Sequence, residues 1–127
     1  MEKIENNNEF HKKIVIENSK GSYKKFADSL DEYPILGVTF PCDYGYIEGY
    51  IGEDTHDLDI FSGSGDVFGY MIVRRDDVEG GLETKMLYKV SEEELKKIKS
   101  EYQIVVDSVE LLNSEEKFFS FIEKFKT

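Results

Sequence analysis

Hydrophobic positions along the chain follow two different rhythms, with the change near residue 91. Ile14-Val15-Ile16 is a short β-branched run and predicts a strand, ended by the turn cluster Asn18-Ser19-Lys20-Gly21-Ser22. From there to Gly69, Gly and Pro recur and no 3.6-residue period is sustained. Short strands are predicted over residues 37–40, 46–51 and 58–61. After the turn Gly63-Ser64-Gly65-Asp66, residues 67–73 read as a strong strand, and 84–90 alternate well enough to form its hairpin partner across 76–81. At Ser91 the pattern becomes helical. Ser91-Glu92-Glu93-Glu94 is a capping box, with Glu94 placed to reach back to the Ser91 N–H. Leu95, Ile98 and Tyr102 then share one face of a helix over 91–102. Residues 103–109 are β-rich. Ser114-Glu115-Glu116 opens a second helix, running to 125, with acids in its first turn. Phe118, Phe121, Ile122 and Phe125 form its buried stripe, which at this spacing reads as core. Several short strands followed by helices predict an α+β fold, or a barrel with appended helices. The polar residues 1–11 are expected to be a flexible N-terminus ahead of a single domain over 12–127.

Composition narrows the function. At 127 residues, 39% hydrophobic and 34% charged, the chain is one globular domain rather than a disordered one. Its net charge of −11 disfavours a nucleic-acid partner, because phosphate backbones are bound by Lys and Arg. The charge is concentrated: residues 27–66 carry net −10 with no Lys or Arg at all. That stretch is either a solvated acidic face or a site built to hold cations. A single cysteine, Cys42, excludes an internal disulfide framework and suits a reducing compartment. No apolar run approaches the ~20 residues of a membrane span, and the N-terminus has no signal-peptide core. A cytoplasmic protein without a membrane partner is expected.

The densest polar feature is Glu53-Asp54-Thr55-His56-Asp57-Leu58-Asp59, with four carboxylates and a histidine in seven residues. Like charges this close repel unless cations offset them. The segment enters a strand, so Leu58 and Ile60 should face one side and Asp57 and Asp59 the other. Hard divalent cations take oxygen ligands, and Mg²⁺ needs only one or two carboxylates plus substrate phosphates. An EF-hand loop is excluded, since counting from Asp54 the sixth position is not Gly and the twelfth is Gly65 rather than Glu. Upstream, Phe40-Pro41-Cys42-Asp43-Tyr44-Gly45-Tyr46-Ile47 combines an extended approach to Pro41 with a glycine that permits close backbone contact. The two tyrosines are either core aromatics or hydroxyl donors to an anionic ligand. Lys20-Gly21-Ser22-Tyr23-Lys24-Lys25 offers cations on a flexible turn, useful for phosphate or simply exposed.

Taken in order, these segments resemble the family I soluble inorganic pyrophosphatases. Pro-Cys-Asp-Tyr-Gly-Tyr-Ile is similar to the family's tyrosine-glycine-aromatic-isoleucine signature. Asp54 follows Tyr44 by ten residues and opens an Asp-x-x-x-x-Asp box closed by Asp59. Residues 14–26, Ile-Val-Ile-Glu-Asn-Ser-Lys-Gly-Ser-Tyr-Lys-Lys-Phe, resemble the family's strand-Glu-x-x-Lys-Gly-Ser-x-x-Lys-Tyr segment without a gap. The likeness is greatest to the short pyrophosphatase-like domains of bacterial and mobile-element proteins. It implies a small closed OB-like β-barrel with two C-terminal helices. It also implies Mg²⁺ or Mn²⁺ as cofactor and pyrophosphate or another phosphoanhydride as substrate, and leaves a homo-oligomer open.

The resemblance implies roles residue by residue. Glu17 matches the first-strand active-site glutamate, Lys25 a phosphate-binding lysine and Tyr44 the active-site tyrosine. Asp54 and Asp59 match metal-binding aspartates. Asp77 and Glu83 match further metal ligands and Lys85 a phosphate ligand, with Asp76 an alternative to Asp77. The box's middle aspartate, which in the family helps activate the attacking water, falls on His56, and its proline on Asp57. Neutral His56 could accept the water's proton, or Asp57 could. Ala27 and Glu32 stand where the family keeps a glutamate and an arginine, and its C-terminal tyrosine-lysine clamp is not recognisable. Two readings follow: metal-dependent hydrolysis of a phosphoanhydride, or a degenerate relative acting as a metal- or phosphate-binding or acidic interaction module, such as an inhibitor or immunity factor.

Overall fold

Strand β7 (Leu82–Val90) is buried at every position from Glu83 to Tyr88, as expected of a central strand covered on both faces. A computed structural model, which describes residues 7–127, places it between β5 (Asp57–Ser62) and β6 (Val67–Arg74). The sheet continues outward through β4 (Asp43–Ile51) to the edge strand β1 (Ile14–Asn18), and on the other side to β8 (Val106–Leu112). All its pairs are antiparallel except β5 with β7. Two short strands, β2 (Tyr23–Lys25) and β3 (Gly37–Thr39), pair separately. The protein is thus a mixed α+β fold built on a six-stranded sheet. The closed barrel implied by the resemblance would need β1 to pair with β8, and among the described residues no such ladder is present.

Period-two alternation sorts the side chains onto two faces. Tyr44, Phe61, Met71, Val73 and Leu87 pack together under helix α2 (Glu92–Glu101), whose Leu95 and Ile98, with Tyr102 at its end, complete this core. The other face carries Ile47, Leu58, Ile60, Met86 and Tyr88 against Phe118 and Ile122 of α3 (Glu115–Ile122). The capping box at Ser91 forms in both directions, worth about 1 kcal/mol. Glu94 also accepts from the Ser64 amide at 3.0 Å and hydroxyl at 2.9 Å, fastening α2 to the preceding turn. Gly45 is required where β4 meets β1, because a Cβ there would lie 1.7 Å from the Val15 carbonyl oxygen.

The first described residues pack against the sheet. Residues Asn7–Phe10 form a short helix, α1, and Phe10 is fully buried, stacking edge-on with Tyr88 and Phe118. A buried Phe contributes about 2–3 kcal/mol, enough to hold this stretch against the domain. The flexibility expected of residues 1–6 lies outside the described residues. Among the described residues no helix is long and apolar enough to cross a membrane. Cys42 is buried, which with the nearby Glu94 and Asp43 pushes its thiol up to about 12, so the thiol stays protonated and unreactive.

Candidate active site

The face of the sheet beneath α2 opens at one end into a cleft of about 450 Å³. Register explains its floor. In the parallel pair Asp59 of β5 stands opposite Lys85 of β7, and in the neighbouring antiparallel pair Glu83 stands opposite Val73. Tyr44 comes from β4 on the same side, and Tyr102 from the end of α2.

Lys85 is the buried hub. Its Nζ donates to the Tyr44 hydroxyl at 2.6 Å and to Asp59 Oδ2 at 3.0 Å, and lies 3.5 Å from Glu83 Oε1. The Tyr44 hydroxyl donates to the same Asp59 oxygen at 2.7 Å. Burial opposes the lysine's charge, but Tyr44, Asp59, Tyr102 and Glu83 outweigh it and hold Lys85 protonated well above its ordinary range. Burial lifts the Tyr44 phenol, which therefore stays a neutral donor. Asp59 and Glu83 divide. Burial works against the Asp59 carboxylate, yet Lys85 and hydrogen bonds from Tyr44 and Glu83 bring it below its usual value. Burial and the neighbouring Asp59 charge raise Glu83 despite Lys85 and Arg75. The Tyr102 hydroxyl, also buried over this hub, has no hydrogen-bond partner among the described residues. An orphaned buried hydroxyl lining a cleft is an available donor to a ligand oxygen.

Arg75 forms a second hub nearer the rim. Its guanidinium meets Asp77 through two bonds, Nε to Oδ1 at 3.0 Å and Nη2 to Oδ2 at 2.6 Å. Nη1 reaches Glu83 Oε1 at 3.1 Å and Asp54 Oδ2 at 3.4 Å. Asp54 is carried on a tight turn, where its Oδ1 accepts the His56 amide at 3.0 Å and Thr55 is held at φ 65°. The loop after β6 fixes the Arg75 backbone, whose N–H donates to the Gly81 carbonyl at 2.8 Å. Gly80 and Gly81 supply the positive φ of 86° and 74° that this turn demands.

Of the residues singled out from sequence, Tyr44, Asp59, Asp77, Glu83 and Lys85 line this one cleft, and Asp54 joins through Arg75. Asp76 lines it too. Four others stand apart. Glu17 is exposed on the edge strand β1, outside the cleft lining. Lys25 is exposed and pairs with Asp28, while strand alternation turns Lys24 into the cleft instead. The His56 side chain is 84% exposed and lies on the outer side of Asp54. Asp57 is exposed at the start of β5. Glu32 lines the cleft where the resemblance placed an arginine. Arg75, Tyr33 and Tyr102 were not singled out from sequence, and of the two adjacent lysines Lys25 rather than Lys24 was matched to the phosphate. Arg75 was detectable by carrying the Met71, Val73 alternation one step past the expected strand end. Glu53, the first carboxylate of the acidic cluster, clasps Thr84 instead, accepting from its amide at 3.0 Å and its hydroxyl at 2.6 Å and so tying the acidic turn to β7.

Among the described residues no three His, Cys, Asp or Glu side chains are arranged to hold a metal ion. The donor chemistry nevertheless suits Mg²⁺, which takes hard oxygens. Asp54, Asp77 and Glu83 already converge on one cation, and that cation is a guanidinium.

No curated protein and no solved structure matches the chain. Residues 6–109 do match the sequence profile of the family described as Inorganic Pyrophosphatase, InPase. With that match covering most of its length, the chain belongs to the inorganic pyrophosphatase family.

Proposed function

We propose that the protein hydrolyses inorganic pyrophosphate, or a closely related phosphoanhydride, with Mg²⁺ or Mn²⁺ as cofactor. The observation that carries this reading is the meeting of Tyr44, Asp59, Glu83 and Lys85 on the floor of one cleft beneath the unpartnered Tyr102 hydroxyl. In this reading Asp54, Asp59 and Glu83 would hold the divalent ions, and Asp77 keeps the Arg75 guanidinium neutralised beside them. When bound, such ions neutralise phosphate charge and lower the pKa of a coordinated water. Lys24 at the cleft mouth and Lys85 on its floor attract and orient the phosphates. Tyr102 donates to a phosphate oxygen from the α2 side, and Tyr44 holds Asp59 and Lys85 in register for the reaction. Glu17 and Lys25 have no part in it. A reducing cytoplasm suits the single buried thiol.

The test is phosphate release from pyrophosphate with Mg²⁺ or Mn²⁺, lost on Asp59→Asn. No release from pyrophosphate, nucleotides or polyphosphate would sink this reading. One observation favours the second reading, a non-hydrolytic binding or interaction module. His56 and Asp57, the two residues nominated to take a proton from water, both face solvent outside the cleft. Binding of Mn²⁺ or phosphate without turnover would decide for that alternative.

A further inference from the structure

We propose that Arg75 is a resident counter-ion that competes with divalent metal for the cleft's carboxylates, so that metal entry and guanidinium departure are a single exchange. The inference rests on the assignment of Asp54 and Glu83 as metal ligands made above. It goes further by naming the residue that controls whether they load.

The geometry makes the two cations mutually exclusive. Nη1 of Arg75 sits 3.1 Å from Glu83 Oε1 and 3.4 Å from Asp54 Oδ2. A divalent ion taking those same two oxygens would compete with that nitrogen for them. A dication and the guanidinium would also repel each other at this range. Arg75 also has somewhere to go. Its side chain is 29% exposed, against 8% for Lys85. Its strongest partner, Asp77, is 68% exposed on the loop after β6 rather than fixed in the floor. The bidentate Arg75–Asp77 pair can therefore withdraw together, the guanidinium remaining neutralised. That leaves the formal charges of Asp54 and Glu83 for one dication, so the exchange is balanced in charge. Lys85 has no comparable exit, being buried against Tyr44 and Asp59.

The experiment measures Mn²⁺ binding to the full chain by the loss of the free-ion paramagnetic resonance signal, with no substrate present. Arg75→Gln should bind Mn²⁺ at least about tenfold more tightly than the native protein, since a competing unit charge at contact distance is removed. Arg75→Lys keeps a charge that cannot bridge all three carboxylates. It should fall between the two, and it carries the test if the Gln variant does not fold. Adding Asp54→Asn to Arg75→Gln should erase the gain and so place the ion in this cluster. Equal or weaker binding by Arg75→Gln overturns the inference, as does a gain that survives Asp54→Asn or an absence of binding in both proteins. The hydrolase reading fails separately. If Arg75→Gln gains Mn²⁺ while neither protein releases phosphate from pyrophosphate, the exchange stands and the hydrolytic function does not.

Discussion

Two cations serve the same carboxylate cluster, and they do so in opposite ways. Lys85 is enclosed: a point charge on a central strand, bonded to Tyr44 and Asp59 and covered by Tyr102. Arg75 is at the rim: a planar fork on a loop, spread over Asp54, Asp77 and Glu83 with part of its side chain in water. Both share Glu83. The difference teaches where charge is structural and where it is exchangeable. A buried ion pair cannot lose one member without leaving the other uncompensated, whereas a rim cation can be replaced by solvent or another ion.

The largest effect follows from the enclosed side. Lys85→Met should destabilise the fold by about 3 kcal/mol, because the half-buried Asp59 and the buried Glu83 lose their counter-charge. Urea unfolding at neutral pH reads this directly. A loss below about 1 kcal/mol would mean Lys85 is no more structural than a surface pair, and the contrast with Arg75 would collapse. Titration gives the next, smaller effect, because a carboxyl can take up a proton instead of staying charged. Glu83 is raised above its ordinary 4.5, so the folded state holds its proton longer than the unfolded chain does. Stability from this group is therefore greatest below 4.5 and declines as pH rises from there through its folded value. Asp59 is depressed below 3.8 and acts the other way, its contribution present above that value and lost on further acidification. Glu83→Gln should flatten the decline above pH 4.5 while leaving the acid limb in place. An unchanged profile would show that burial beside Asp59 does not raise Glu83.

Much of this arrangement was legible in the chain. The strands of the sheet, the hairpin across 76–81, the capping box at Ser91 and the Phe stripe of α3 all follow from local pattern. The ordered motifs also drew attention to Tyr44, Asp59, Asp77, Glu83 and Lys85, which line one cleft, and to Asp54, which meets Arg75. What stayed hidden depends on contacts between distant segments. The parallel pairing that sets Asp59 opposite Lys85 joins strands separated by β6, and no local period encodes it. Lys24 and Lys25 are equivalent in sequence, and only the pairing of β2 with β3 decides which enters the cleft. The turn at Thr55 leaves His56 and Asp57 exposed outside the cleft, against expectation. Phe10 looks like part of a polar tail until the pocket formed by Tyr88, Phe118 and Phe119 is present.

The rim hub should prove energetically light. Arg75→Gln is expected to change unfolding free energy by no more than about 1 kcal/mol, since Asp77 is solvated and the guanidinium itself is partly in water. The measurement is the same urea titration used for Lys85→Met. A loss rivalling that of Lys85→Met would make the guanidinium structural and remove the asymmetry on which metal exchange depends.

The smallest effect probes the one carboxylate that reaches Arg75 from outside the central hairpin. Asp54 is delivered by a turn in which Thr55 occupies the left-handed region at φ 65°, a conformation that is strained for a β-branched residue. Thr55 offsets part of that strain by donating its hydroxyl to the Asp54 carbonyl at 2.5 Å. Glycine adopts this φ freely, but loses that bond and gives the unfolded chain more freedom. These terms nearly cancel, so Thr55→Gly should raise stability by about 0.5 kcal/mol, measured as a small rise in thermal midpoint. Because the turn also fixes Asp54 through its bond to the His56 amide, relaxing it loosens the weakest of Arg75's contacts without touching Lys85. A stabilised variant with unchanged Lys85→Met cost would keep the two hubs independent. A destabilised variant would mean instead that the strained turn is held by Arg75, and that the rim cation has a structural role after all.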